Sequence, residues 1–196
     1  MMHLLRHLQS DRTGASAVEF ALVAPVLLMA MMGLFDLGYN VYTATLLEGA
    51  IQKTARDSTI EGSVSKTSTL DAAVTEMVRN IAPQATLNFK RTAYSSFSDV
   101  GKPEDFTDVN GDGVCNAGEP FEDANANGSW DADQGKVGSG GARDAVLYEV
   151  QVTYPRPFPV TSMFGMDADY IMTSRTVLRN QPYDLSEKVV KVANCP

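Results

Sequence analysis

The chain has few of the residues on which most catalytic and zinc sites depend. Its 196 residues include two histidines, His3 and His7, and two cysteines, Cys115 and Cys195. Both histidines precede the first long apolar run, so the rest of the chain cannot form a histidine-based triad or metal site. The cysteines form no CxxC pair, which argues against zinc. We therefore expect no enzymatic activity and no small-molecule substrate.

Positive charge is also scarce. The formal net charge is -8, which argues against nucleic acid as a partner because phosphate binding requires a basic surface. Residues 103–134 contain nine aspartates and glutamates and no lysine or arginine. Carboxylates crowd together at low cost only where a cation neutralises them or water solvates them freely.

One segment is long and apolar enough to cross a membrane. Residues 15–35 read ASAVEFALVAPVLLMAMMGLF, with Glu19 as the only charged residue. As a helix this run spans about 32 Å, and the hydrocarbon core of a bilayer is about 30 Å thick. Pro25 lies inside it and removes one backbone hydrogen bond, which membrane helices tolerate.

The charges on either side of this run predict its orientation. Arg6 and Arg12 precede it, and Asp36 follows it directly. The positive-inside rule then makes residues 1–14 a cytoplasmic leader. Residues 15–35 become a single transmembrane helix, and residues 36–196 an α+β domain outside the cytoplasm.

The remaining pattern predicts an α+β fold. Helical spacing continues past Phe35, so we expect one helix from about residue 14 to 60, ending at Gly62, and a second at Thr69–Ile81. Alternating or β-prone runs predict three antiparallel strands at Ala85–Tyr94, Ala145–Tyr154 and Asp169–Leu178. The expected architecture is a long N-terminal helix packed on a small antiparallel β-sheet, with calcium-binding loops inserted at about 104–135.

The sharpest chemical signal is the stretch DVNGDGVCNAGE at 108–119. It matches the EF-hand loop pattern D-x-[DN]-x-[DN]-G-x5-E, which supplies the six to eight hard oxygens that Ca²⁺ requires. Gly113 permits the sharp turn at loop position 6. The predicted ligands are Asp108, Asn110, Asp112, Val114 through its carbonyl, Asn116 and Glu119.

The pattern recurs fifteen residues later. FTDVNGDG at 106–113 aligns with FEDANANG at 121–128, which predicts a second loop. Its loop position 12 is Gln134, beside Asp133, in place of glutamate, so a weaker site is expected. The predicted ligands are Asp123, Asn125, Asn127, Ser129 through its carbonyl, Asp131, Asp133 and Gln134.

Two alternatives stay open for this region. Asx- and glycine-rich sequence also forms surface loops that bind no metal, although more than thirty residues without regular structure are unusual in a compact domain. In an oxidising compartment Cys115 and Cys195 either pair as a disulfide or remain free thiols.

The start of the apolar run resembles the processing site of type IV prepilins. In that resemblance a membrane peptidase cuts between Gly14 and Ala15 and leaves Glu19 at the fifth mature position. Glu19 would then neutralise the new amine of Ala15 among packed helices. The alternative is a shallow glutamate whose carboxylate reaches the headgroups.

The longer stretch RTGASAVEFALVAPVLLMAMMGLFDLG resembles the TadE-like (TadE/TadG) proteins of tight-adherence pili. The resemblance implies a pilin- or pseudopilin-like assembly component in the bacterial inner membrane, with its C-terminal domain in the periplasm. The calcium loops predicted from the motif would stabilise that domain. Its implied partners are other pilin or pilus assembly subunits through the N-terminal helix, and a prepilin peptidase. The alternatives are a minor pseudopilin of a type II secretion system and a membrane-anchored calcium-binding protein.

Overall fold

The computed structural model describes residues 13–58, 67–116, 118–158, 160–180 and 191–196, which form an α+β protein. Its α-helices are α1 (Thr13–Ser58), α2 (Thr67–Arg79) and the short α3 (Val160–Met163). Its strands are β1 (Thr86–Tyr94), β2 (Pro120–Asp123), β3 (Lys136–Val137), β4 (Ala145–Pro155), β5 (Asp169–Arg179) and β6 (Lys191–Asn194).

The long first helix expected from residue 14 to 60 is confirmed from Thr13 to Ser58. Pro25 lies inside it, and its expected stop at Gly62 lies outside the described residues. Buried positions first appear at Asp36 and then recur every three or four residues, which is the period of one helix face. These buried positions are Asp36, Asn40, Thr43, Leu47, Ala50, Ile51, Thr54 and Ala55.

The described residues divide into two compact units. The first, here called the N-terminal unit, contains residues 13–42, 155–158 and 160–170. The second, the sheet unit, contains residues 43–58, 67–116, 118–154, 171–180 and 191–196. Helix α1 contributes residues to both, and the predicted calcium loops lie in the sheet unit.

The three strands expected from sequence are confirmed within a four-stranded sheet of order β3-β1-β4-β5. Strand β1 pairs antiparallel with β4 along its whole length, with Phe89 opposite Val150. Every second residue of β4 is buried, as expected for a strand with one face on a core. These buried residues are Val146, Tyr148, Val150, Val152 and Tyr154.

Sequence periodicity did not predict two short pairings. The two-residue strand β3 pairs with β1, and β2 pairs antiparallel with β6 in a separate two-stranded sheet. Strands of two to four residues contain too few alternations to be recognised. The second helix was predicted at Thr69–Ile81 and lies at Thr67–Arg79, a difference of two residues at each end.

A charged cluster links α2 to both central strands of the sheet. The Asp71 carboxylate accepts a hydrogen bond from Arg91 Nη1 at 3.0 Å and from the Tyr148 hydroxyl at 2.9 Å. The Arg91 guanidinium also lies over the Tyr148 ring, with Cζ 4.4 Å from the ring centroid. Burial and the negative charge of Asp71 raise the pKa of Tyr148, so the phenol stays protonated and donates.

Replacing Asp71 by asparagine should destabilise the sheet unit. Asp71→Asn keeps the size of the side chain but removes the charge that Arg91 and Tyr148 share. We expect the free energy of unfolding to fall by about 2 kcal/mol, measured by chemical denaturation of the full chain in detergent. Glu76→Gln, at an exposed position of the same helix, is the matched control. Equal stability of the two variants would contradict the structural role assigned to Asp71.

Candidate calcium-binding loops and membrane segment

In the first predicted loop, residues 108–119, the chain turns around the side chain of its first aspartate. The Asp108 carboxylate accepts hydrogen bonds from three successive backbone N–H groups, those of Gly111 at 2.6 Å, Asp112 at 3.2 Å and Gly113 at 2.9 Å. Asn110 and Asp112 each accept a bond from the N–H two residues further on, at 2.9 and 2.8 Å. Gly113 has φ +76°, the left-handed conformation that the turn requires.

The second loop, residues 123–134, repeats this backbone pattern at the same offsets. Asp123 accepts from the N–H groups of Asn127 and Gly128, both at 3.0 Å. Asn125 accepts from the N–H of Asn127 at 3.0 Å, and Asn127 accepts from that of Ser129 at 2.7 Å. Gly128, with φ +82°, matches Gly113. The sequence repeat is therefore also a structural repeat.

A glutamate carboxylate closes each loop by accepting backbone N–H groups from its two ends. In loop 1, Glu119 accepts from Val109 at loop position 2 (2.7 Å) and from Asn116 at position 9 (3.3 Å). In loop 2, positions 2 and 9 are Ala124 and Asp131. Their backbone N–H groups both donate to the carboxylate of Glu104, at 2.9 and 3.1 Å. Glu104 thus has the position in loop 2 that Glu119 has in loop 1.

The EF-hand motif did not identify Glu104, because the motif places the closing residue at the end of the loop itself. The sequence does contain a signal for Glu104, because a glutamate lies four residues before the aspartate that opens each loop. Glu104 precedes Asp108, and Glu119 precedes Asp123. The true repeat is therefore EDFTDVNGDG at 104–113 and EPFEDANANG at 119–128. Each repeat begins with the glutamate that closes the loop of the other repeat.

The residues predicted at the end of loop 2 have different contacts. Asp133 accepts a hydrogen bond from the Tyr94 hydroxyl at 3.1 Å, and the backbone N–H of Gln134 donates to the Lys102 carbonyl at 2.9 Å. Burial and the adjacent Asp133 carboxylate raise the pKa of Tyr94 to about 12. Asp133 connects the loop to β1 and Gln134 connects it to the segment before the first repeat, whereas Glu104 spans the loop itself.

The exchange of closing glutamates between the two loops is stabilised by backbone pairing between the segments that precede them. Phe106 and Phe121 form an antiparallel bridge. Two backbone hydrogen bonds flank it, from Thr107 N to Pro120 O at 2.9 Å and from Glu122 N to Asp105 O at 2.8 Å. This pairing brings each glutamate next to the loop of the other repeat.

Three loop carboxylates are removed from water and have no lysine or arginine partner among the described residues. Glu104, Glu119 and Asp123 are 1%, 4% and 5% exposed. The ion pairs within the described part of the chain join Asp71 to Arg91, Asp36 to Arg156 and Glu149 to Arg175, so none reaches the loops. Within the described residues, these three carboxylates accept hydrogen bonds from backbone N–H groups alone.

The predicted calcium ligands of loop 1 form hydrogen bonds with one another. The Nδ2 atoms of Asn110 and Asn116 donate to Asp112 at 3.0 and 2.8 Å, and the Val114 N–H also donates to it. The Asn116 and Val114 bonds hold the pKa of Asp112 below its ordinary value. Among the described residues no three Asp, Glu, His or Cys groups lie in position to hold a metal. In this arrangement the amide Nδ2 atoms of Asn110 and Asn116, and not their oxygens, face Asp112.

The C-terminal strand is fastened directly to loop 1. Cys115, at loop position 8, forms a disulfide with Cys195, with the Cα atoms 5.4 Å apart. The Cys195 N–H donates to the Glu119 carbonyl at 2.7 Å. Around the disulfide lies a small apolar cluster consisting of Phe106, Phe121, Trp130 and Ala193. Trp130 also donates to the Glu104 carbonyl at 2.9 Å, so its indole contacts the segments that close both loops.

The first half of α1 is apolar and largely exposed. Its length and composition suffice for a membrane crossing, and the most apolar stretch has no buried residue. A soluble protein does not normally leave so large a continuous apolar surface in water. The exposed side chains include Phe20 at 67%, Leu22 at 74% and Val26 at 63%.

The predicted processing residues lie at the start of this helix. Gly14, Ala15 and Glu19 are all exposed, and the Gly14–Ala15 bond falls in the first turn. At the other end of the apolar run, Asp36 forms a buried ion pair with Arg156 and accepts a hydrogen bond from Asn40 Nδ2 at 3.2 Å. The apolar segment thus ends at a buried, paired charge.

The fold and these sites define an α+β protein, and its described residues include one candidate membrane-spanning helix, near the N-terminus. Residues 14–56 match the family model of TadE-like proteins, which confirms the resemblance found in the sequence. The match covers the candidate membrane helix and the portion of α1 that follows it. No curated protein and no solved structure matches the chain.

Removing the disulfide should loosen the C-terminal strand. We expect Cys195→Ser to lower the free energy of unfolding by about 4 kcal/mol, because the crosslink closes a loop of 80 residues in the unfolded chain. Denaturant unfolding of the full chain measures this change. Cys115→Ser and the double variant should give the same loss, since all three remove a single bond. A double variant much less stable than either single one would contradict the pairing.

Proposed function

We propose that the protein is a non-catalytic, single-pass component of a bacterial tight-adherence pilus machinery, with a calcium-stabilised domain in the periplasm. The observation that carries the proposal is the TadE-like match over residues 14–56, which coincides with the exposed apolar helix. The helix supplies the membrane anchor and the surface that meets other subunits.

The membrane assignment follows from where the apolar and charged side chains lie. Apolar side chains between Val18 and Phe35 are exposed around the helix, and in a bilayer this surface contacts lipid or neighbouring helices. Arg6 and Arg12 before the helix, and Asp36 after it, favour a cytoplasmic N-terminus in the inner membrane.

The same helix offers a polar contact to other pilin-like subunits. Glu19 is exposed four residues after Ala15 in an otherwise apolar surface. A carboxylate at this depth is unfavourable by up to about 3 kcal/mol unless it finds a partner, such as the amine of a processed subunit. A prepilin peptidase that cleaves after Gly14 would create this amine at Ala15.

Calcium is proposed as the cation that the two loops bind. Loop 1 has the full EF-hand ligand pattern in sequence, and loop 2 has it except at position 12. Both loops share the same backbone turn and a closing glutamate that contacts positions 2 and 9. Ca²⁺ binds oxygen ligands of this kind, and millimolar affinity is enough outside the cytoplasm. An ion in each loop would neutralise the buried carboxylates of Glu104, Glu119 and Asp123.

The glutamate pairing gives a direct test of the calcium sites. We expect the full chain in detergent to bind two calcium ions at millimolar free Ca²⁺, measured by equilibrium dialysis with elemental analysis. Glu104→Gln should weaken the second site and Glu119→Gln the first, each by roughly 10- to 100-fold, because a charged ligand is lost. The emission of Trp130 should change on addition of EGTA.

Two matched controls separate this prediction from general destabilisation. Glu122→Gln alters an exposed glutamate of β2 and should leave both affinities unchanged. Gln134→Ala should also have little effect if Glu104 closes loop 2. A large effect of Gln134→Ala with none of Glu104→Gln would restore Gln134 as the closing residue. Absence of bound calcium in the unaltered protein would disprove the calcium proposal.

The pilus assignment is tested in the native host. Deletion of the gene should abolish surface pili and adhesion, measured by electron microscopy and surface attachment. The unaltered gene and Glu48→Gln, which changes an exposed glutamate of α1 beyond the apolar run, should restore both, whereas Glu19→Gln should not. N-terminal sequencing should find Ala15 first. Normal pili with loss of a secreted protein would instead indicate a type II secretion pseudopilin.

A further inference from the structure

The N-terminal unit contains a second apolar feature that the proposed function does not use. Between β4 and β5 the chain forms the short helix α3 and a tight turn at residues 163–166, with the sequence Met-Phe-Gly-Met. Met163, Phe164 and Met166 are 69%, 69% and 55% exposed. We call these three residues the apolar tip.

The connection that carries the apolar tip is attached to the outer end of the apolar helix segment. Arg156 pairs with Asp36, and two residues later the Phe158 ring stacks on Phe35 with the ring centroids 6.1 Å apart. Arg156 also lies over the Tyr170 ring, 4.8 Å from its centroid. Both ends of the connection are therefore held near residues 35 and 36 of α1, where the predicted membrane span ends.

The connection lies against the last residues of the apolar run, since Arg156 contacts Asp36 and Phe158 contacts Phe35. Val160, next along the connection, is buried. On the helix face of Asp36, two turns closer to the N-terminus, Met29 is half-buried, whereas Leu27 and Leu28 beside it are exposed.

The turn itself is suited to a position with little water. The backbone N–H groups of Phe164, Gly165 and Met166 donate to the carbonyls of Thr161 and Ser162, all at 3.1 Å. Gly165 has φ +72°, which lets the turn close. Because these three amides already have acceptors, they lose no hydrogen bond when the tip leaves water.

We infer that the apolar tip inserts into the outer-leaflet interface of the same membrane that α1 crosses. This inference rests on the proposed membrane anchor, and continuity with the lipid-exposed surface of α1 favours lipid as the occupant. There is no lysine or arginine between Arg156 and Arg175, while Asp167 and Asp169 follow the tip. Insertion is therefore shallow, driven by apolar burial, and independent of anionic lipid.

Depth-dependent quenching by brominated lipid tests the inference. The full chain is reconstituted in phosphatidylcholine vesicles whose acyl chains carry bromine near the headgroup or near the bilayer centre. Phe164→Trp is compared with the unaltered protein, in which Trp130 supplies the baseline. The added tryptophan should emit at shorter wavelength than an exposed indole. It should lose most of its emission to shallow bromine and less to deep bromine, with no change when anionic lipid or salt is added.

Leu27→Trp, in the middle of the predicted span, distinguishes failure of the tip insertion from failure of the proposed membrane anchor. Its emission should be quenched most strongly by deep bromine. If it is quenched while Phe164→Trp and a second tip variant, Met166→Trp, are not, the inference is overturned and the membrane anchor stands. A blue-shifted but unquenched tip would mean that protein, such as a second copy, covers it, which also overturns the inference. If no added tryptophan is quenched, the membrane proposal fails as well.

Discussion

The exchange of closing glutamates between the two loops is the interaction on which the loop region of this protein depends. Glu104 and Glu119 are almost completely buried, and each accepts N–H groups from both ends of the other repeat's loop. A buried carboxylate without a cation is unfavourable unless hydrogen bonds or an ion offset it. The loops, the bridge between Phe106 and Phe121, and the attachment of the C-terminal strand all surround these two side chains.

This exchange makes the two loops a single structural unit. Deleting either repeat would remove the opening aspartate of one loop and the closing glutamate of the other. The disulfide extends the unit, since Cys115 lies inside loop 1 and Cys195 continues from the strand that pairs with β2. Trp130 packs edge-on against Phe106 with the ring centroids 5.9 Å apart, which joins loop 2 to the segment that precedes loop 1.

The long elements of the fold could be predicted from sequence because each has many repeats of its period. Helix α1 continues an apolar run with 3.6-residue spacing, and β1, β4 and β5 contain nine to eleven residues each. The short strands β2, β3 and β6 could not be predicted in this way. They exist because of partners distant in sequence, such as the pairing of Phe121 with Ala193.

The calcium loops show the same difference. Contacts within a loop could be predicted from the sequence, whereas contacts between residues distant in the sequence could not. Within each loop, the positions of Asp, Asn and Gly are fixed by a turn of six residues, so the backbone of 108–113 and of 123–128 could be predicted from the motif. The closing carboxylate of loop 2 comes from a residue 19 positions before its opening aspartate, and no local pattern locates it. Only the repeat distance, with glutamate four residues before each opening aspartate, indicates Glu104. The EF-hand motif takes every residue of a site from one continuous stretch of chain. It therefore cannot describe these two loops, because each loop is closed by the glutamate that begins the other repeat.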